Sequence, residues 1–270
     1  MNRQYTLHAA ARGFSLVELM VALVVGLIVT GAALAFTMSS LRSNTEFVQS
    51  ARLTQELRNS IGFVSSEFRR AGYDEHAMNY YTQSGSGPTT VSPFTRFFVD
   101  DPTKAAVSTT DADCAIYAYD RGAPATAGEI KLADGEIRGI RLRTRTVNSV
   151  SVGVLEMGES AAGATIACDG ASPDYTKYPA ACNAGWCPLS DPRVLNITNF
   201  DIDDSGSSSI SVTKGLPFRI RDLQVTLSGT LVGSAAPART VVTRVRVRAD
   251  CMRPPGDNPT TACNVAPTGT

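Results

Sequence analysis

The sharpest chemistry in this chain belongs to Glu18, an acid set four residues into the apolar run that begins at Phe14, directly after Arg12-Gly13. A carboxylate in hydrocarbon costs about 2.5–3.5 kcal/mol near a bilayer centre and less at shallow depth, so it calls for a cationic partner. The next candidates are six cysteines, Cys114, Cys168, Cys182, Cys187, Cys251 and Cys263, all placed after the apolar run. An even number in that position predicts an oxidising compartment and disulfides. Cys251 and Cys263 are expected to pair, closing a Pro/Gly-rich loop that would otherwise fray. Partners among Cys114, Cys168, Cys182 and Cys187 stay open. Cys182-Asn-Ala-Gly-Trp-Cys187 has the wrong spacing for a metal knuckle, and the two histidines, His8 and His76, flank the apolar run, so no zinc site is expected.

Two arginine ladders alternate with apolar residues: Arg141, Arg143 and Arg145, then Arg244, Arg246 and Arg248. Each forms a basic stripe that could meet DNA phosphates or an acidic protein, but without interleaved aromatics the preferred reading is a solvated sheet face that discourages edge pairing. Asp201-Ile-Asp203-Asp204-Ser205-Gly206 has the opening letters of a calcium loop, yet Val212 stands where a bidentate glutamate is required, so a solvated turn is preferred. No nucleophile stands beside a base, and there is neither a phosphate loop nor a logical pair of carboxylates. The chain is therefore expected not to be an enzyme and to need neither metal nor cofactor. Lys plus Arg balances Asp plus Glu at 25 each, which excludes a global pull toward nucleic acid.

The elements that must position these residues begin with Phe14–Phe36, FSLVELMVALVVGLIVTGAALAF, about 34 Å long as a helix and so enough to cross a bilayer. Arg3 and Arg12 precede it, placing the N-terminus in the cytoplasm and the rest outside. Ala33-Leu34-Ala35 also offers a secretory cleavage site, but the apolar run is too long for a signal core and carries Glu18. Beyond Ser40 the helical period continues with Leu57, Ile61, Val64 and Phe68 on one face, and Glu56, Arg58, Glu67 and Arg69 on others. No proline interrupts residues 14–72, so one helix is expected from Phe14 to Arg70, ended by Gly72, with Gly26 and Gly31 as weak points. Residues 74–110 read as a long irregular excursion. Strands are expected at Cys114–Tyr119, Ile140–Thr146, Leu223–Leu227 and Val241–Arg248, the last two forming a hairpin covered by the Leu57–Phe68 stripe. The fold class is thus α+β, a long N-terminal helix on an antiparallel sheet.

Arg12-Gly13 followed by Phe14-Ser15-Leu16-Val17-Glu18-Leu19 and an apolar helix resembles the class III signal of type IV prepilins and type II secretion pseudopilins. The resemblance implies a 1–13 leader cut by prepilin peptidase between Gly13 and Phe14, methylation of the new Phe14 amine, and pairing of Glu18 with a neighbouring subunit's amine during assembly. It also implies a 14–40 membrane and filament-core half, a 41–72 amphipathic half and a 73–270 globular β-rich domain of pilin-like fold. Ser66-Glu67-Phe68-Arg69-Arg70-Ala71-Gly72-Tyr73 is similar to the helix end of the PilW family of minor pilins and of J-type minor pseudopilins. That likeness covers the first 73 residues and the final hairpin. It implies a minor pilin that primes type IV pilus assembly from the tip. The implied partners are the membrane, prepilin peptidase, the inner-membrane assembly platform, other minor pilins and the major pilin, with nucleic acid not expected. The implied location is single-pass inner membrane with a cytoplasmic N-terminus, then the pilus tip. A minor pseudopilin of type II secretion is the near alternative, and a tip adhesin or DNA-uptake module the alternative of another class.

Overall fold

The computed structural model describes residues 13, 15–75, 77, 92–100, 114–122, 132–161, 164–177, 179–210, 217–233, 237–254 and 256–267. It divides into two units, residues 1–48 and residues 49–270. Helix α1 runs from Leu16 to Arg70, through Gly26 and Gly31. In the first unit its apolar side chains are exposed along the whole length, from Leu16 at 74% through Phe36 at 77% to Val48. The hydroxyls of Thr30 and Thr37 bond back to the carbonyls of Gly26 and Ala33, so these polar groups are satisfied within the helix.

In the second unit the helix becomes one-sided. Leu53, Leu57, Ile61, Val64 and Phe68 are buried, following the i, i+4, i+7, i+11 spacing of a single face. They pack against two antiparallel sheets. The first has the order β1 (Phe97–Asp100), β2 (Cys114–Ala118), β3 (Ile137–Val147), β4 (Val150–Glu159) and β5 (Trp186–Pro188). The second has the order β10 (Arg239–Arg246), β9 (Asp222–Leu231) and β6 (Leu195–Asp203). A third, of β11 (Cys251–Met252), β8 (Phe218–Ile220) and β7 (Ser208–Ile210), lies beside a short helix α2 (Pro259–Ala262). The main core joins the helix stripe to Phe97, Tyr117, Ile140, Leu142 and Leu155 from the first sheet and to Phe200, Leu223, Val225, Leu227 and Val245 from the second. The hairpin is β9–β10, in register from Asp222↔Arg246 to Gly229↔Arg239.

Three expectations need correction. Residues 74–110 are not irregular throughout, because Phe97-Phe98-Val99-Asp100 pairs with β2 and puts Phe97 into the core. Glu67 is buried, at 2% exposure, although it was placed off the apolar face. It lies three residues from Val64, at the border of the stripe, and the sheet supplies polar partners there. Finally, the first sheet is covered on both faces. The outer layer gathers Cys114, Ile116, Ala118, Ile137, Ile166 and Trp186 into a second core, which is why every residue of β2 is buried.

Candidate functional site

The segment that carries the processing chemistry opens α1. Gly13 is exposed, with open space around its Cα, and helical hydrogen bonding starts with the Leu19 amide donating to the Ser15 carbonyl at 3.1 Å. Arg12 and Phe14 lie outside the described residues. Glu18 stands exposed in the first turn, where the aligned peptide dipoles favour a negative charge. Among the described residues no hydrogen bond or ion pair engages its carboxylate, and the acid is surrounded by exposed leucines, valines and a methionine. The helix is long and apolar enough to cross a membrane. The apolar surface of its membrane-length stretch needs lipid or other helices around it, because none of that stretch is covered by the chain itself.

The other end of α1 is fastened rigidly. The Glu67 carboxylate accepts from Tyr117 Oη at 3.2 Å, Tyr119 Oη at 3.3 Å and Arg70 Nη1 at 3.1 Å, with Arg138 Nη1 at 3.8 Å. Burial, reinforced by the Glu67 charge, pushes the Tyr117 phenol well above its ordinary value, and the same two causes raise Tyr119. Two residues beyond the helix, Gly72 adopts φ +80° and donates its amide to the Ala118 carbonyl at 2.8 Å. A side chain there would place its Cβ 2.6 Å from that of Ala249. The Arg-Ala-Gly-Tyr signature therefore has a structural cause: Arg70 serves Glu67, Gly72 makes the close left-handed turn, and the Tyr73 carbonyl accepts from Asp120 N.

The first arginine ladder is not a solvated face: Arg141 is buried and Arg143 and Arg145 are half-buried. Arg141 is fully buried, 3.8 Å from the centre of the Trp186 ring, and its Nη2 lies 2.7 Å from the Glu156 carboxylate. Its other donors reach the carbonyls of Cys168 and Gly170 at 2.7 and 2.8 Å and the Ser172 hydroxyl at 2.9 Å. Arg143 donates to the Cys168 carbonyl and Arg145 to the Ser172 hydroxyl. The carboxylate of Glu156 also accepts from Ser172 Oγ and Tyr175 Oη. Burial lowers the Arg141 pKa while Glu156 opposes it, and burial raises that of Tyr175. The solvated-face reading holds only for the second ladder: Arg244 and Arg246 are two-thirds exposed and lie at ion-pair distance from Asp222 and Asp250.

Of the Asp201–Gly206 stretch, Asp201–Asp203 end β6 and Asp204–Gly206 make the turn that follows. Asp203 Oδ1 accepts from the Ser205 amide, and Asp204 pairs with Arg219 at 2.7 Å and Arg221 at 3.7 Å. Val212, His8 and His76 lie outside the described residues. No cluster of metal-ligating side chains occurs among the described residues. Sulfurs join Cys114 to Cys168, Cys182 to Cys187 and Cys251 to Cys263. The first two bonds hold the β4–β5 connection against β2 and β5.

The comparisons with known proteins decide the family. A model described as prepilin peptidase-dependent protein B matches residues 46–247, and one described as the prokaryotic N-terminal methylation motif matches residues 9–34. The chain belongs to the prepilin peptidase-dependent protein B family. The family match runs from the helix of the first unit to the end of the hairpin, through residues 74–215. The methylation motif covers Gly13, Phe14 and Glu18 together with the opening of α1. These matches make the chain a type IV pilin-like protein dependent on prepilin peptidase, without singling out the PilW family. Neither the curated proteins nor the solved structures gave a match. The buried residues that sequence reasoning missed, Glu67, Glu156 and Arg221, lack a sufficient local signal, because each takes partners from other strands or from distant loops.

Proposed function

We propose that this prepilin peptidase-dependent protein is a minor pilin that primes type IV pilus assembly and sits at the pilus tip, as the likeness to the PilW family implies. In this reading residues 1–13 are a leader removed between Gly13 and Phe14, and the Phe14 amine is then methylated. Residues 14–40 anchor the chain in the inner membrane with the N-terminus cytoplasmic and later join the filament core. Residues 41–72 carry the helix into the β-rich domain, 73–270. The subunit is non-enzymatic, and its partners are the assembly platform, the other minor pilins and the major pilin.

One observation carries the proposal. A single helix, Leu16–Arg70, is wholly exposed and apolar through the first unit, with Glu18 its only acid before Glu46, and becomes one-sided where it is built into the β-domain. Such a helix suits a subunit that leaves the membrane by exchanging lipid for neighbouring helices, because both environments cover the same apolar surface and Glu18 gains a cationic partner only in the second. A minor pseudopilin of type II secretion would use the same helix. The tip adhesin or DNA-uptake reading rested on the arginine ladders, and Arg141 is spent on Glu156 and the Cys168–Ser172 segment.

Deletion of the protein in a strain whose filament retraction is blocked tests the proposal. Loss of surface pili is expected. Normal piliation with loss of adhesion or DNA uptake would replace priming by a tip-binding role.

A further inference from the structure

The outer edge of the five-stranded sheet is β1, and two of its outward amides are held by the chain's own C-terminal segment. Phe97 N donates to the Cys263 carbonyl at 3.3 Å, and Val99 N donates to Asn264 Oδ1 at 3.0 Å. The remaining outward group of Phe97, its carbonyl, accepts from Arg221 Nη2 at 2.5 Å, and the same nitrogen donates to the Cys263 carbonyl at 2.6 Å. Residues 97 and 99 share one edge, because β2 takes the groups of the other edge. The segment is preformed: Asn258 caps α2 by accepting from Thr260 N, Cys263 N donates to Pro259 O, and Asn264 N to Thr261 O. Beyond it, Ala266 packs on the second core and Pro267 is buried. One covalent bond, from Cys263 to Cys251 on β11, ties this strap to the third sheet of its own chain.

We propose that β1 is a strand-accepting edge whose occupant is the 258–267 segment, and that the same segment of a second copy takes its place whenever the Cys251–Cys263 bond is not closed within one chain. The occupant follows from the contacts themselves. An edge strand with unpaired N–H and C=O groups accepts an extended or clipped segment that presents matching acceptors, and the segment with the correct spacing is already seated there. Exchange between copies reuses identical contacts, so it costs little beyond association. The buried Arg221 guanidinium makes the edge selective: it must donate to two carbonyls at once, one on β1 and one on the incoming segment. A chain with this bond unclosed would expose the edge in the compartment where subunits meet, and the disulfide therefore serves to hold the surface in reserve. The contact does not involve α1, so it is independent of the assembly proposed above.

Two equal batches of the full chain in detergent, one labelled with nitrogen-15, are mixed, reduced with a dithiol, and reoxidised with oxidised glutathione at several concentrations. The cysteine-linked peptides are then weighed. The expected result is a heavy–light hybrid for the Cys251–Cys263 pair alone, its share rising at least about threefold over a tenfold rise in concentration, while Cys114–Cys168 and Cys182–Cys187 stay unmixed. Absence of the hybrid, or equal mixing at all three pairs, overturns the proposal. A second measurement needs no refolding: in the Cys251→Ser/Cys263→Ser chain, amide exchange at Phe97 and Val99 should quicken at least about tenfold while the β3 amides keep their protection. On adding a peptide of residues 256–267 with Cys263→Ser, the two amides should be protected again. Unchanged exchange in the variant, or no reprotection by the peptide, would show that β1 is not an accepting edge.

Discussion

Arg141 lies over Trp186, its Cζ 3.8 Å from the ring centre, with its guanidinium against Glu156. Gly139 and Gly158, directly opposed on β3 and β4, leave the space for the indole: a Cβ on Gly139 would come within 2.8 Å of the ring. This contact fastens residues 168–172 of the β4–β5 connection, because Arg141 also satisfies the carbonyls of Cys168 and Gly170. Arg141→Ala leaves Glu156 buried beside unpaired carbonyls and should destabilise the domain by about 3–5 kcal/mol. Arg141→Lys should recover little, since an ammonium cannot serve four acceptors in a planar fork. Urea unfolding monitored by Trp186 fluorescence measures both. A loss under about 1 kcal/mol for the alanine variant would mean that the ladder is only a solvated face.

The buried phenols predict an alkaline weakness. An unfolded chain releases tyrosine protons near pH 10. In the folded chain Tyr117 is held well above that value by burial and by Glu67. Because the folded state then binds more protons than the unfolded one, stability falls as pH rises above about 10. Arg221 acts in the opposite sense: burial and Arg219 bring it down to about 9, so above that pH the unfolded state is the one holding the extra proton. Comparing the wild type with Tyr117→Phe isolates the phenol. Between pH 9.5 and 11 the urea midpoint of the wild type should drop more steeply than that of the variant, and parallel curves would contradict the assignment.

Replacement of Glu18 by alanine should leave leader removal intact and lower recovery of the protein in sheared filaments at least about tenfold, because the change removes a charge partner without touching Gly13 or Phe14. Quantitative immunoblots of sheared pili and membranes give the ratio. Wild-type incorporation would remove the assembly role from this acid.

Much of this architecture is legible in the sequence where its signal is local. The Leu57–Phe68 stripe repeats at the helical period, and β9 and β10 alternate with period two, so both elements and their buried faces follow from spacing alone. The same alternation misleads at β3. Ile140 and Leu142 point to the helix, which makes Arg141, Arg143 and Arg145 look solvated, yet residues 168–175 fold back over that face and supply carbonyls and hydroxyls. Nothing within a strand's own letters announces such a cover. The clues were distant ones: the single tryptophan, the paired glycines Gly139 and Gly158, and cysteines requiring a covered layer. Strand β1 hides for a related reason, since Phe97–Asp100 is short and set among Ser, Thr and Pro residues. Glu67 shows how one polar letter at the border of an apolar stripe can be buried when two tyrosines and an arginine await it.

Intact-mass and N-terminal analysis of the mature chain from membranes of cells containing prepilin peptidase tests the central claim most directly. The methylation motif spans Gly13 and Phe14, and α1 begins just beyond them at Leu16. The account predicts a chain that has lost residues 1–13 and starts at an N-methylated Phe14, with Glu18 and the whole apolar helix retained. A mature chain starting at Phe36, its apolar helix removed, would contradict it, as would a chain that keeps its leader in the presence of the peptidase.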